Sequence, residues 1–277
     1  MFPVIEVFGK QIGTYGIMAA VGIAACVLVG RILIRRFELT GDDLALIMVV
    51  VFGGQILGAG LLYGITNIRL LIYGFAHLDT LGWHGLWDII VYSFGGFVYY
   101  GGFIGAACAL LIYTRVKKSL RPARDGLLDL YAVLVPLFHA FGRIGCFLGG
   151  CCYGIESAFG FTVHNNHLNP SINDVNRFPV QLLESGCNFM IFFILLYLFN
   201  KRIMEKRLIY IYLLIYPAVR FSDEFLRADT YRGFLWGLST SQWISILLFL
   251  FALIMLPIKS KKLKNAGDSV QEPDQTA

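Results

Sequence analysis

Two stretches of this sequence carry residue types that an apolar chain does not hold without a reason. The first is "HAFGRIGCFLGGCCYG", residues 139–154, where Arg143 follows an apolar run and three cysteines and five glycines fall within residues 142–154. The second is "YPAVRFSDEFLR", residues 216–227, where Glu224 lies four residues after Arg220 and Arg227 three further on. An arginine at mid-membrane costs roughly 2.5–3.5 kcal/mol on insertion scales and generally faces a bundle interior. The alternative is that both arginines snorkel to an interface. Two guanidiniums converging in a low-dielectric space repel unless an anion joins them, and guanidinium grips phosphate through paired hydrogen bonds. In a membrane the available phosphate is a lipid head group. The i,i+4 spacing predicts an Arg220–Glu224 pair on one helical face. Asp129 is a further charge in an apolar run, with no partner that the sequence names.

The cysteines leave several readings open. Cys26, Cys108 and Cys187 lie in or beside apolar runs and read as small buried hydrophobes. Cys146, Cys151 and Cys152 can be small residues in a tight turn, a disulfide, a metal site with His139, His164 or His167, or a nucleophile. Neighbouring Cys151 and Cys152 make a strained disulfide. C-x4-C-C is not a recognised zinc spacing. Neither a metal nor another cofactor is expected.

The elements that must position these residues follow from composition. Of the 277 residues 57% are hydrophobic and only 15% charged, and mean hydropathy is +0.68. Soluble domains carry about 25% charged residues, so the sequence reads as an all-α integral membrane protein. Seven apolar stretches are long enough to span: 14–34, 44–64, 92–114, 126–146, 181–200, 207–226 and 240–258. They form one membrane domain over 1–258, followed by a basic, then polar, disordered tail over 259–277. Residues 65–91 and 147–180 read as long loops. The N-terminus has no cleavable signal pattern, so its first span is expected to stay.

Basic residues set the orientation. Sixteen of the 23 fall in alternate connections: Arg31, Arg35 and Arg36; Arg115, Lys117, Lys118, Arg121 and Arg124; Lys201, Arg202, Lys206 and Arg207; Lys259, Lys261, Lys262 and Lys264. The positive-inside rule then predicts seven helices, an outside N-terminus and a cytoplasmic C-terminus. Arg143 and Arg220 come toward the outer ends of the fourth and sixth spans. The recurring glycines in "FGGQILGAG" and "SFGGFVYYGGFIGA" read mainly as close helix packing.

Several motifs together resemble the prolipoprotein diacylglyceryl transferase family, over about residues 15–242. "TYGIMAAVG" is similar to its first-helix motif, with Tyr15 at the functional tyrosine. "YYGGFIG" resembles H-G-G-x-I-G, and "GRIGCFLGGCCYG" resembles G-R-x-G-N-F-x-N-x-E-x-x-G. "RFPVQLLES" and "YPAVRFSDEFLR" are similar to R-x-P-x-Q-x-x-E and Y-x-x-x-R-F-x-x-E-x-x-R, with Ser241-Gln242 opening the last helix. The resemblance implies a seven-helix enzyme of the bacterial inner (plasma) membrane. Its site faces the extracytoplasmic leaflet. There it moves a diacylglyceryl group from phosphatidylglycerol to the lipobox cysteine of exported prolipoproteins, releasing glycerol phosphate. Its partners are thus that lipid and the prolipoprotein signal peptides, with no nucleic acid.

By the same resemblance Arg143, Arg220, Tyr100, Tyr216 and Glu224 are catalytic, the arginines stabilising charge on the departing phosphate. Tyr15, Gly142, Gly145, Cys146, Cys151, Gly154 and Arg227 bind substrate. The sequence departs from the pattern at four places: Cys146 and Gly149 replace asparagines, Cys151 replaces the glutamate, and Tyr100 replaces the histidine assigned as the thiol's base. A phenol with pKa about 10 is a poor base at neutral pH. Three other readings stand beside this one: a lipid- or anion-binding transporter, a transferase with another acceptor, and a thiol-redox or metal protein on the same scaffold.

Overall fold

The computed structural model describes residues 4–7, 10–164, 166, 170–228 and 234–271. Its helices are α1 (Thr14–Leu33), α2 (Gly41–Thr66), α3 (Ile68–Ala76), α4 (Leu78–Phe94), α5 (Tyr99–Val116), α6 (Arg124–Gly149), α7 (Val180–Asn200), α8 (Leu208–Asp223) and α9 (Thr240–Gln271). Three short antiparallel pairs accompany them: β1 (Val4–Val7) with β2 (Lys10–Gly13), β3 (Glu156–Thr162) with β4 (Asn176–Arg177), and β5 (Phe234–Leu235) with β6 (Leu238–Ser239). The chain divides into two compact units, Met1–Leu33 with Asp129–Ala277, and Ile34–Leu128.

The fold is helical and apolar enough for a membrane. Among the described residues five helical stretches have the length and hydropathy to cross one: Thr14–Phe37, Gly41–Thr66, Arg124–Gly149, Val180–Asn200 and Thr240–Ala266. A sixth is formed if α4 and α5, bent by 81° at their junction, count together. α8 has 16 residues, short of the roughly 20 a crossing needs.

Three expectations are corrected. Residues 65–91, read as a loop, are almost wholly helical, because α3 and α4 fold against each other and bury Leu71, Gly74 and Leu86. The apolar run 92–114 is not one helix, for α4 ends at Phe94 and α5 begins at Tyr99. Gly96 makes that break possible, since a Cβ there would lie 2.4 Å from the Tyr63 ring. α9 also continues through Gln271, past the expected span end at 258.

In the second unit α2 and α5 touch backbone to backbone through two small-xxx-small pairs, Gly54/Gly58 and Gly101/Gly105. A Cβ on Gly58 would sit 2.3 Å from Gly101 O, and one on Gly105 would sit 2.3 Å from Gly54 O. Such contacts replace the hydrophobic drive that lipid removes. A capping box of Thr40 and Asp43 opens α2, and Lys117 Nζ closes on Asp43 Oδ1 at 2.7 Å.

In the first unit Asp129 finds its partners at the start of α8. Its Oδ1 accepts Leu208 N–H (2.8 Å), and its Oδ2 accepts Lys206 N–H. Leu208 N–H is one that a helix start leaves unsatisfied, so this buried charge caps α8 and holds the residue before its N-cap as well. α9 opens on a second capping box. Ser239 N–H donates to Gln242 Oε1 (2.9 Å) and Gln242 N–H to Ser239 Oγ (3.2 Å). Gln242, read as part of a family motif, thus has a local structural reason.

Candidate active site

Three helices of the first unit converge on Glu184, one turn into α7 and 1% exposed. Arg143, near the end of α6, sets Nη2 at 2.7 Å from Glu184 Oε2. Tyr216 of α8 donates its O–H to Oε1 at 3.3 Å. His139 Nε2, one turn before Arg143, lies 3.7 Å from the same oxygen. The His139 ring meets Tyr216 edge-on at 5.2 Å, and Tyr216 stacks on Tyr212 at 5.4 Å. α7 is fastened to α6 beside this knot, for Ser185 Oγ donates to Ala140 O (2.9 Å).

One turn past Tyr216, Arg220 forms the expected pair with Glu224, Nη2 to Oε2 at 2.6 Å. The same nitrogen reaches Ser241 Oγ of α9 at 3.4 Å. Arg143 and Arg220 are 8% and 5% exposed, so neither snorkels. Each also keeps an unused buried donor: Arg143 Nε and Arg220 Nη1 have no hydrogen-bond partner among the described residues. A buried N–H left unpaired costs about 1–3 kcal/mol, and an oxyanion removes that cost at both.

The glycines differ among themselves. Gly145 lets α1 close in, a Cβ there falling 3.1 Å from the Tyr15 ring. Tyr15 itself remains half exposed, at 49%. A Cβ on Gly142 or Gly149 would meet nothing within 4 Å, and their seven-residue spacing puts this open space on one face of α6. Gly154 is where three backbone segments cross. Its Cβ would be 2.3 Å from Phe178 O and 3.0 Å from Leu226 O, and it forms an isolated bridge with Arg227. Arg227 is half-buried, and its backbone N–H donates to Glu224 O. Tyr100 is buried on α5 in the second unit.

The three cysteines come together. The sulfurs of Cys146, Cys151 and Cys152 all lie within 4.8 Å of one another. Arg143 Nη1 directs an N–H toward Cys146 Sγ at 3.9 Å. Hydrogen bonding from Cys146, then Cys151, holds the Cys152 thiol well below the usual thiol range, and the same network pushes Cys151 up. No disulfide is formed among the described residues. Of the histidines weighed as metal partners, His139 is on Glu184 and His164 is exposed on Asp174 (2.6 Å). His167 lies outside the described residues.

Glu184 and Ser241 stand in motifs noted for their resemblance without either residue being assigned a role, and His139, weighed only as a metal partner, joins the site as a neighbour of Glu184. Glu184 carried a usable signal, since it is the one acidic or basic side chain between residues 180 and 200.

Comparison with known proteins bears on this arrangement. The sequence model of the family described as "Prolipoprotein diacylglyceryl transferase" matches residues 3–258. The phosphatidylglycerol–prolipoprotein diacylglyceryl transferase of Clostridium tetani is 36% identical over 264 residues, 93% of this chain and 98% of that protein. The Clostridium perfringens protein of that name numbered 2 is 34% identical over 275 residues, 95% and 97% of the two chains. A Campylobacter jejuni counterpart is 32% identical over 271 residues, 93% of each.

Proposed function

The chain belongs to the prolipoprotein diacylglyceryl transferase family, and from that premise we propose that it transfers a diacylglyceryl group from phosphatidylglycerol to the lipobox cysteine of exported prolipoproteins. The thiol gives up its proton to solvent, and its sulfur forms a bond to the glycerol carbon. The carbon–oxygen bond to phosphate breaks, and its electron pair leaves with glycerol phosphate. The observation that carries this reading is the pair of buried guanidiniums with donors to spare, Arg143 Nε and Arg220 Nη1. Preorganised donors of that kind stabilise charge that develops on a departing group. Glu184 and Tyr216 fix the Arg143 fork, and Glu224 with Ser241 fixes Arg220. Gly142 gives the phosphate room, and Tyr15, exposed beside Gly145, is assigned to the lipid. Gly154 and Arg227 shape the adjoining backbone. Tyr100 keeps its motif position on the second unit, and a phenol there is a weak base.

We assign the protein to the bacterial plasma membrane as one domain over 1–258, with the N-terminus outside and the site toward the outer leaflet; its seven crossings count α4 with α5 as one and extend α8 by the helical turn 224–226 to make another. The distribution of basic residues supports this orientation.

The test is direct. Purified protein in detergent is mixed with phosphatidylglycerol and a lipobox peptide, and mass spectrometry follows the thioether. Arg143→Ala should lower the rate by about 10²–10³, the loss seen when one transition-state donor is removed. Arg143→Lys should restore little, because a point charge does not replace a planar fork. Unchanged rates in both variants would remove Arg143 from the chemistry.

A further inference from the structure

The three cysteines are not explained by phosphate recognition, and the way α6 ends shows how they are assembled. Gly150 takes a left-handed conformation (φ +74), its N–H donates to Phe147 O (3.3 Å), and Cys151 N–H reaches back to Cys146 O (3.1 Å). This is a Schellman ending. It folds the residue after the left-handed one over the helix's last full turn, a contact two apolar side chains ordinarily fill. Here that contact is made by the thiols of Cys146 and Cys151. Cys152 follows at φ +56, a conformation uncommon for residues with a Cβ, and completes the triangle. Gln181 of α7 pins the turn from outside by donating Nε2–H to Cys151 O (2.8 Å). The C-x4-C-C spacing is therefore a helix-end spacing, unlike the two-ended hairpins that give C-x2-C.

We propose that Cys146, Cys151 and Cys152 form a tri-thiolate site for a thiophilic d10 cation of the Zn2+ class, whose fourth position receives the acceptor's cysteine thiol. Zinc–sulfur bonds of about 2.3 Å at tetrahedral angles put sulfurs about 3.8 Å apart, so a triangle with no edge above 4.8 Å closes by about an ångström at most. Sulfur donors without oxygen select soft ions over magnesium or calcium. Zn2+ with three thiolates carries one net negative charge, and the Arg143 guanidinium beside Cys146 Sγ offsets it. Cys146 is buried, Cys152 half-buried and Cys151 exposed, so the site is open on one side. Three protein ligands with an open position are the arrangement of catalytic rather than structural zinc.

The consequence for chemistry rests on the transferase reading. A thiol bound to such an ion loses its proton to water and becomes a nucleophile at neutral pH. Its sulfur then attacks the glycerol carbon, and the carbon–oxygen electron pair departs with the phosphate toward Arg143 and Arg220. The uncharged thioether holds the metal less well than a thiolate and is replaced by water or the next thiol. The ion supplies the deprotonation that Tyr100, standing where the family pattern has histidine, is poorly suited to give.

The experiment uses the full-length protein in detergent, reduced and then freed of reductant. Metal content is measured after dialysis against Zn2+, and Co2+ is substituted to read sulfur-to-metal charge-transfer absorption. One ion per chain is expected, with its loss in Cys152→Ser and its retention in the exposed-site control Cys108→Ser. A lipobox peptide should enlarge and shift the Co2+ spectrum, and the same peptide with serine for cysteine should not. Absence of bound metal with all three thiols reduced would overturn the site. So would a pair of them isolated as a disulfide that reduction does not convert to a metal-binding form. Thioether formation at an undiminished rate by chelator-treated protein would overturn the metal's role and leave the transferase reading standing. A peptide-sensitive Co2+ spectrum without any thioether would support the site while removing that reading.

Discussion

At the scale of single residues the site is a problem of charge compensation, and Glu184 holds the solution. Its carboxylate is almost wholly buried and answers Arg143, Tyr216 and His139 at once. Removing one partner of a buried ion pair costs about 3–5 kcal/mol, because the other is left charged and dry. Glu184→Gln should therefore lower the detergent melting midpoint well below that of the parent. At temperatures where it is still folded, thioether formation should fall with it. A variant that melts like the parent and transfers normally would show that Arg143 has another counter-ion. The two arginines were legible in the sequence because each interrupts an apolar run, and Arg220–Glu224 was legible because helical spacing sets it. Glu184 interrupts a run in the same way, but the Arg143–Glu184 pairing joins separate helices, and no local periodicity records it. Asp129 shows the limit from the other side. It gives the same signal of a charge in an apolar span, and the structure spends it on capping α8.

At the scale of elements, glycine decides what packs and what bends. Gly53 and Gly58 both lie on α2, yet a Cβ on Gly53 meets nothing within 4 Å, whereas on Gly58 it meets Gly101 O at 2.3 Å. The obstructing atom is backbone and cannot turn aside, so overpacking there costs about 1–3 kcal/mol or more. Gly58→Ala should depress the melting midpoint and the folded yield of the purified protein, while Gly53→Ala should leave both near the parent's. Equal behaviour of the two would mean that α2 and α5 do not meet through these glycines. The density of glycine in "FGGQILGAG" and "YYGGFIG" announced close packing from the sequence alone. What it did not announce was which glycine breaks a helix. Gly95 and Gly96 sit in as apolar a run as Gly101 and Gly102, yet the first pair lies at the junction of α4 and α5, where Gly96 packs on the Tyr63 ring, and the second inside α5 against α2.

At the scale of the whole molecule, the first unit puts its charges at opposite ends of the same helices. Asp129, near the start of α6, holds the start of α8, and Arg207 Nη1 donates to Ser260 Oγ of α9 at 3.1 Å. One end therefore gathers the start of α6, the basic segment 201–207 and the basic stretch of α9. Arg143 lies fourteen residues further along α6 than Asp129, about 21 Å at 1.5 Å per residue. It shares that second end with Glu184, Arg220 and Ser241. If the basic end is cytoplasmic, the guanidiniums lie toward the outer leaflet, the side the proposed exported acceptor would reach. A membrane-impermeant maleimide tests this on single added cysteines, read against the parent protein's own labelling. Phe159→Cys on β3, at an exposed position, should gain label in intact spheroplasts. Lys262→Cys, in the basic part of α9, should gain it only after permeabilisation. The reverse pattern would turn the protein over in the membrane and set its site facing the cytoplasm, on the wrong side for an exported cysteine.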